Sequence, residues 1–135
     1  MLVLQFAFDG NSKNPHLPHF HSISDVIYTG THDNDTTVGW YESLSGEQKD
    51  FIKQYLYSSH QTMPWLLIDA ALASVSSMVI IPMQDFLELD GKHRMNMPGT
   101  TGKNWSWQFS WEQLPHHLAK NIRTRLQRYD RLNKM

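Results

Sequence analysis

The sequence predicts an α/β protein built around a parallel sheet. Three apolar, β-rich runs at residues 2–8 (LVLQFAF), 26–29 (VIYT) and 78–83 (MVIIPM) are separated by segments with loop or helical character. The first and third runs are almost continuously apolar, as in strands covered on both faces rather than one. Strands joined through helices pair in parallel by right-handed crossovers.

The run at 2–8 begins almost at residue 1, with no cap or turn before it, so it reads as a chain entered in the middle. Residues 10–25 are rich in Asn, Pro, His and Ser and predict an irregular loop. After the second strand, Ser45 and Gln48 form a capping-box pair ahead of Phe51, Ile52, Tyr55 and Leu56, which predicts a helix over about 46–57. Pro64 suits the first turn of another, over 64–76. Leu118, Ile122, Leu126, Tyr129 and Leu132 make one apolar stripe on a helix over 115–132. Its other face, with Lys120, Arg123, Arg125, Arg128 and Arg131, reads as solvated. Three strands make a poor independent sheet, because the outer two expose long apolar edges that invite self-association. A missing remainder of the sheet is the second sign of a fragment.

The 135 residues fit one ordinary domain. A hydrophobic content of 40% and charged content of 19% are globular values, and the net charge of −1 offers no attraction to nucleic acid or to a membrane surface. No apolar run reaches the roughly 18–20 residues that span a bilayer. The absence of cysteine fits a reducing, cytoplasmic setting.

An acid follows each apolar run: Asp9, the cluster His32-Asp33-Asn34-Asp35, and Asp85. In parallel α/β folds the C-terminal strand ends carry the active site, so the set points to function more than to capping. Asp33 beside His32 couples an acceptor to a donor, a pair suited to gripping a polyhydroxylated substrate. Gly30 permits a tight turn or a close approach. Asp35, Thr36 and Thr37 read as local backbone caps. Residues 94–107, RMNMPGTTGKNWSW, combine loop-shaping Gly99 and Gly102 with the amides of Asn96 and Asn104. Trp105 and Trp107 offer flat faces for a sugar ring or anchors for the loop. His16, His19 and His21 lie close together, but their spacing matches no metal motif, and no metal is expected. His60, His93, His116 and His117 read as surface or loop residues.

Together LQFAFDG, YTGTHDNDTT, Gly39-Trp40, IPMQD and RMN-PGTTG-NWSW resemble the C-terminal part of the 4-α-glucanotransferases, glycoside hydrolase family 77. The likeness runs from Leu2 to about Trp107, with residues 14–24 departing from the usual pattern. It implies a catalytic (β/α)8 TIM barrel of which this chain carries strands six to eight. It implies a nucleophilic Asp after strand four and an acid/base Glu after strand five, both outside this chain. The third acid of that family, which stabilises the transition state, maps to Asp33, with His32 as a substrate-binding neighbour. Phe6 and Asp9 match the strand-six motif near the sugar sites, and Asn96 matches the asparagine of the final loop. The implied substrate is a maltooligosaccharide or starch- or glycogen-derived glucan, and no cofactor is implied.

The chain by itself is expected to be an inactive fragment. Two other readings are a non-catalytic carbohydrate-binding fragment and a magnesium-dependent phosphatase with a D-x-D-x-T motif at Asp33, Asp35 and Thr37. Against the latter, Thr29–His32 separate the strand from the first Asp, which in such phosphatases follows directly.

Overall fold

A computed structural model describes residues 1–57 and 61–132. Its sheet holds β1 (Leu2–Val3), β2 (Val26–Tyr28) and β3 (Met78–Ile80) in that order, all parallel. Leu2 faces Ile27 across the first ladder, and Ile27 faces Val79 across the second. The helices are α1 (Thr37–Ser43), α2 (Gly46–Leu56), α3 (Trp65–Ala73), α4 (Met83–Phe86) and α5 (Leu118–Arg128).

β1 is much shorter than the apolar run that predicts it. After Val3 the chain turns into a 3-10 helix over Leu4–Phe6, closed by the Ala7 N–H on the Leu4 carbonyl at 3.0 Å. Leu4, Ala7 and Phe8 are buried there. A buried turn and a buried strand both demand apolar side chains, so the pattern alone could not separate them. β3 likewise stops at Ile80 instead of continuing to residue 83, because Pro82 has no N–H for the ladder and starts α4.

α1 has no counterpart among the expected elements. Its seven residues include Thr37, Val38 and Gly39, all weak helix formers. What permits it is the Thr36 hydroxyl, which accepts the Gly39 N–H at 3.2 Å. Gly39 is needed because the Asp35 carboxylate lies against it: a Cβ there would sit 2.6 Å from Oδ1. At α2 the capping box closes in both directions, Gln48 N–H on Ser45 Oγ at 3.2 Å and Ser45 N–H on Gln48 Oε1 at 3.0 Å. Ile27, Leu4, Phe8 and Leu17 pack on Ile52 of α2 and on Leu67 and Ala71 of α3 to form the core.

The cationic face of α5 is only partly solvated, which corrects the reading of that face from composition. Arg125 bonds Asp69 of α3 in a pair of which each side chain is 11% exposed, and its guanidinium lies 4.5 Å from the centre of the Trp65 ring. Arg131 donates to the carbonyls of Leu72, Ser74 and Ser76 at 2.8–3.0 Å, satisfying the open C-terminal end of α3. The stripe locates the helix, but it cannot show which arginines meet partners on another helix.

The three histidines of the first loop fasten it. His16 Nδ1 accepts the Val3 N–H at 2.9 Å, and His19 bonds the Tyr55 hydroxyl and the Ser12 carbonyl. His21 is buried, with Nε2–H on the His16 carbonyl and Nδ1 accepting from the Ser74 hydroxyl, each at 2.8 Å. Burial holds the imidazole below its ordinary pKa of 6.5, against the opposing pull of the His16 carbonyl and Asp25. The neutral ring is the form the fold favours, because burial penalises the charged imidazolium. Stability from His21 is therefore complete above about pH 6.5 and falls as pH drops toward the lowered folded value. Urea midpoints at pH 7.5 and pH 5.5 are expected to differ more for the unaltered chain than for His21→Gln.

His60 lies outside the described residues. The sheet leaves apolar side chains uncovered at both edges, with Met1 and Phe6 near β1 and Met78 and Ile80 on β3 exposed. Among the described residues no helix is long and apolar enough to cross a membrane.

Candidate functional site

The loop over residues 30–36 leaves the C-terminal end of β2 and is built to hold its tip outward. Asn34 Oδ1 accepts both the N–H and the hydroxyl of Thr31, at 2.9 and 2.8 Å. The Asn34 N–H returns to the Thr31 carbonyl at 3.1 Å, and the Asp33 N–H reaches the Thr31 hydroxyl at 3.3 Å. This tight turn turns the side chains of His32 and Asp33 to solvent, each 54% exposed. His32 Nε2 lies 3.4 Å from Asp33 Oδ2.

Both ends of the loop are pinned by Asp85, at the start of α4. Its Oδ2 accepts the hydroxyls of Thr29 and Thr37 at 2.8 and 2.6 Å, and its Oδ1 accepts the Thr37 N–H at 2.9 Å. Thr29 precedes the loop and Thr37 follows it. Asp85 is 1% exposed, and burial raises its pKa above 3.8 despite these three donors, with Asp35 adding to the rise. Of the three strand-end acids whose set points to function more than to capping, Asp85 turns inward, its acceptors consumed by the backbone N–H and hydroxyls it ties down. Gln5 adds a fourth strap, from Nε2 to the Asp35 carbonyl at 2.9 Å. Gly30 admits it, since a Cβ at 30 would lie 2.6 Å from that nitrogen. The capping role read for Thr36 is seen in its hydroxyl, which accepts the Gly39 N–H, whereas the Thr37 hydroxyl serves Asp85 and is thereby removed from any D-x-D-x-T site.

The second motif meets the first at the carboxylate. Asn96 Nδ2 donates to Asp33 Oδ1 at 2.6 Å across 63 positions of sequence. Arg94 clamps both strands of this contact, with one nitrogen on the Asp33 carbonyl at 3.1 Å and another on the Asn96 carbonyl at 3.3 Å. Sequence reasoning missed Arg94 as a site residue. Its position two before Asn96 is visible, but nothing in the pattern reveals a partner 61 residues away.

The rest of the 94–107 loop divides into structural and free parts. Asn104 is committed to the loop itself, accepting the Met97 N–H at 3.0 Å and donating to the Thr100 carbonyl at 3.2 Å, so it is no candidate for sugar hydroxyls. Gly99 and Gly102, with φ of 79° and 121°, supply the left-handed corners. Trp107 donates to His93 Nδ1 at 3.2 Å and stacks on Phe109. Trp105 instead faces His32, the ring centres 4.8 Å apart. A cleft of about 220 Å³ lies between Thr31, His32, Asp35, Arg94, Met95 and Trp105, and a second of about 300 Å³ between Met1, Gly30, His32, Asp33 and Ile80.

Phe6 and Asp9 stand apart from this cluster. Phe6 is exposed and meets His16 edge-on at 5.7 Å. Asp9 closes its own turn through the Asn11 N–H at 2.9 Å, a bond that lowers its pKa, with Asn14 assisting. Among the described residues no group of three or more His, Asp or Glu side chains is arranged to hold a metal ion.

A parallel sheet carries its polar loops beyond its strand C-termini, around a solvent-facing carboxylate held by an amide and flanked by an imidazole, the end at which α/β folds place their sites. The chain belongs to the 4-alpha-glucanotransferase family, glycoside hydrolase family 77, whose model matches residues 1–114. It is similar to the chloroplastic/amyloplastic 4-alpha-glucanotransferase DPE1 of Oryza sativa, 47% identical over 98% of this chain and 23% of the relative. It is also similar to the 4-alpha-glucanotransferase of Thermus thermophilus, 41% identical over 89% of this chain and 26% of the relative. Among solved structures, an amylomaltase from Streptococcus agalactiae in complex with acarbose superposes with a TM-score of 0.94 at 32% identity, covering 98% of this chain and 27% of that one. The chain thus spans about a quarter of the length of the curated relatives it matches.

Proposed function

We propose that this chain is the C-terminal part of the catalytic barrel of a 4-alpha-glucanotransferase and that it supplies the acid that steadies the glucosyl cation. β1, β2 and β3 are then strands six, seven and eight. The observation that carries the reading is the joining of Asp33, His32 and Asn96, from two distant motifs, beyond the C-terminal end of the central strand. Parallel order and the uncovered apolar edges of β1 and β3 support a sheet that continues on both sides.

In a retaining double displacement, a nucleophile and an acid/base stand roughly 5–5.5 Å apart around the scissile bond, and the transition state resembles an oxocarbenium ion. Those two groups belong to chain upstream of the matched quarter. They cleave an α-1,4 bond, hold the donor as a covalent glycosyl intermediate and pass it to the 4-hydroxyl of another sugar. Asp33 contributes a negative charge that favours the developing cation and accepts from sugar hydroxyls, with Asn96 fixing one oxygen. His32 binds a hydroxyl beside it, and Phe6 and Asp9 border neighbouring sugar sites. The glucan is a maltooligosaccharide or a starch- or glycogen-derived chain. The cysteine-free composition suits a reducing compartment, which we read as the cytoplasm.

Without the nucleophile and the acid/base, the isolated chain does not transfer glucosyl units, and its bare strand edges favour self-association. Incubation of the pure chain with maltotriose as sole substrate is expected to release no glucose. Efficient production of glucose and longer dextrins would overturn the reading.

A further inference from the structure

We infer that Trp105 is a sugar platform: its indole face receives the apolar face of a pyranose ring neighbouring the one held at Asp33, and its indole N–H donates to a hydroxyl on that ring's rim. This rests on the glucan reading above and adds a subsite to it.

Trp105 adopts a φ of 60°, in the left-handed region where a bulky residue is an outlier. Such conformations persist where surrounding contacts over-determine them, and they gather at ligand sites. Here the constraint is the Trp105 N–H on the Met95 carbonyl at 2.7 Å, which ties the two strands of the final loop together. The result is not a better-packed core. The strained corner presents Trp105 outward, 62% exposed, whereas Trp107, two residues on, takes the packing role against Phe109 and His93.

The ring contact of Trp105 is with His32, at 4.8 Å and a tilt of 40°, so the indole stands beside the imidazole that approaches Asp33. Its N–H has no hydrogen-bond partner among the described residues. Arg94 lines the same cleft and offers further donors. A flat apolar face bordered by donors and acceptors matches a pyranose, which has C–H groups on its faces and hydroxyls around its rim. The acids Asp33 and Asp35 nearby favour an uncharged sugar over an anionic ligand.

The test is a maltotriose titration of the 135-residue chain, following the indole N–H signals of the five tryptophans and the backbone amides of His32 and Asp33 by NMR. The Trp105 indole signal is expected to move most among the five. Trp105→Ala is expected to weaken maltotriose binding at least tenfold, and Trp105→Phe less than threefold. Trp105→Gly relieves the left-handed strain, so its melting temperature is expected to match or exceed that of the unaltered chain while binding still falls tenfold.

If the amides of His32 and Asp33 respond but the Trp105 indole does not, and Trp105→Ala binds as well as the unaltered chain, the platform is wrong and the Asp33 sugar site stands. If neither responds, the platform is overturned for this chain, while the family reading stands on its matched residues. A lowered melting temperature in Trp105→Gly with binding intact would assign the residue to packing and overturn the proposal.

Discussion

Asp33→Asn is expected to lower kcat about 10²- to 10³-fold, with KM changed less than about threefold, in an enzyme where this chain replaces the matched quarter of the Thermus thermophilus relative. The substitution is close to isosteric. The amide oxygen still accepts from Asn96, and Arg94 still binds the backbone carbonyl at 33, because neither contact needs the charge. In the proposed role, what disappears is the negative charge facing a cation that exists only near the transition state. An interaction made there and not in the ground state appears in kcat rather than in KM. Steady-state disproportionation of maltotriose by the chimera measures both constants. A chimera that keeps more than half its kcat with Asn at 33 would remove Asp33 from the chemistry.

Asp85→Ala is expected to reduce the stability of the chain by about 3 kcal/mol, read as a lower urea midpoint. Two hydroxyls and one backbone N–H converge on a carboxylate that is 1% exposed, and alanine leaves all three unsatisfied in a site closed to water. That loss is a large share of the roughly 5–15 kcal/mol that holds an ordinary domain together. Asp85→Asn is expected to cost less than about 1 kcal/mol, because its oxygen keeps the Thr37 N–H and its amide can donate to hydroxyls that rotate to accept. The pH dependence supplies a second check. With a folded pKa raised above 3.8, the stabilising term from Asp85 is complete below that value and is lost as pH rises through the raised one. The asparagine variant is expected to lack this slope. Since Asp85 anchors both ends of the loop that carries His32 and Asp33, the alanine variant should also broaden the amide signals of that loop.

The legible part of this protein lies in short-range patterns. The capping box at Ser45 and Gln48, the stripe from Leu118 onward and the apolar runs that contain the three strands all act within one turn or one strand, where period and composition report structure directly. The less legible parts are those where one pattern serves two structures. The run at 2–8 is strand for two residues and buried turn thereafter, and α1 forms from weak helix formers because a cap and a neighbouring carboxylate support it.

The candidate site divides along the same line. The sequence by itself determined the parallel α/β class and the chemistry gathered in YTGTHDNDTT and RMN, because strand period and residue type are local properties. Only the tertiary structure decided that Asp33 meets Asn96, that Arg94 clamps the pair, that Asp85 turns inward and that Trp105 and not Trp107 faces the cleft. Those choices depend on which groups become neighbours when distant segments close over one core, and neither charge nor periodicity encodes a partner some sixty residues away.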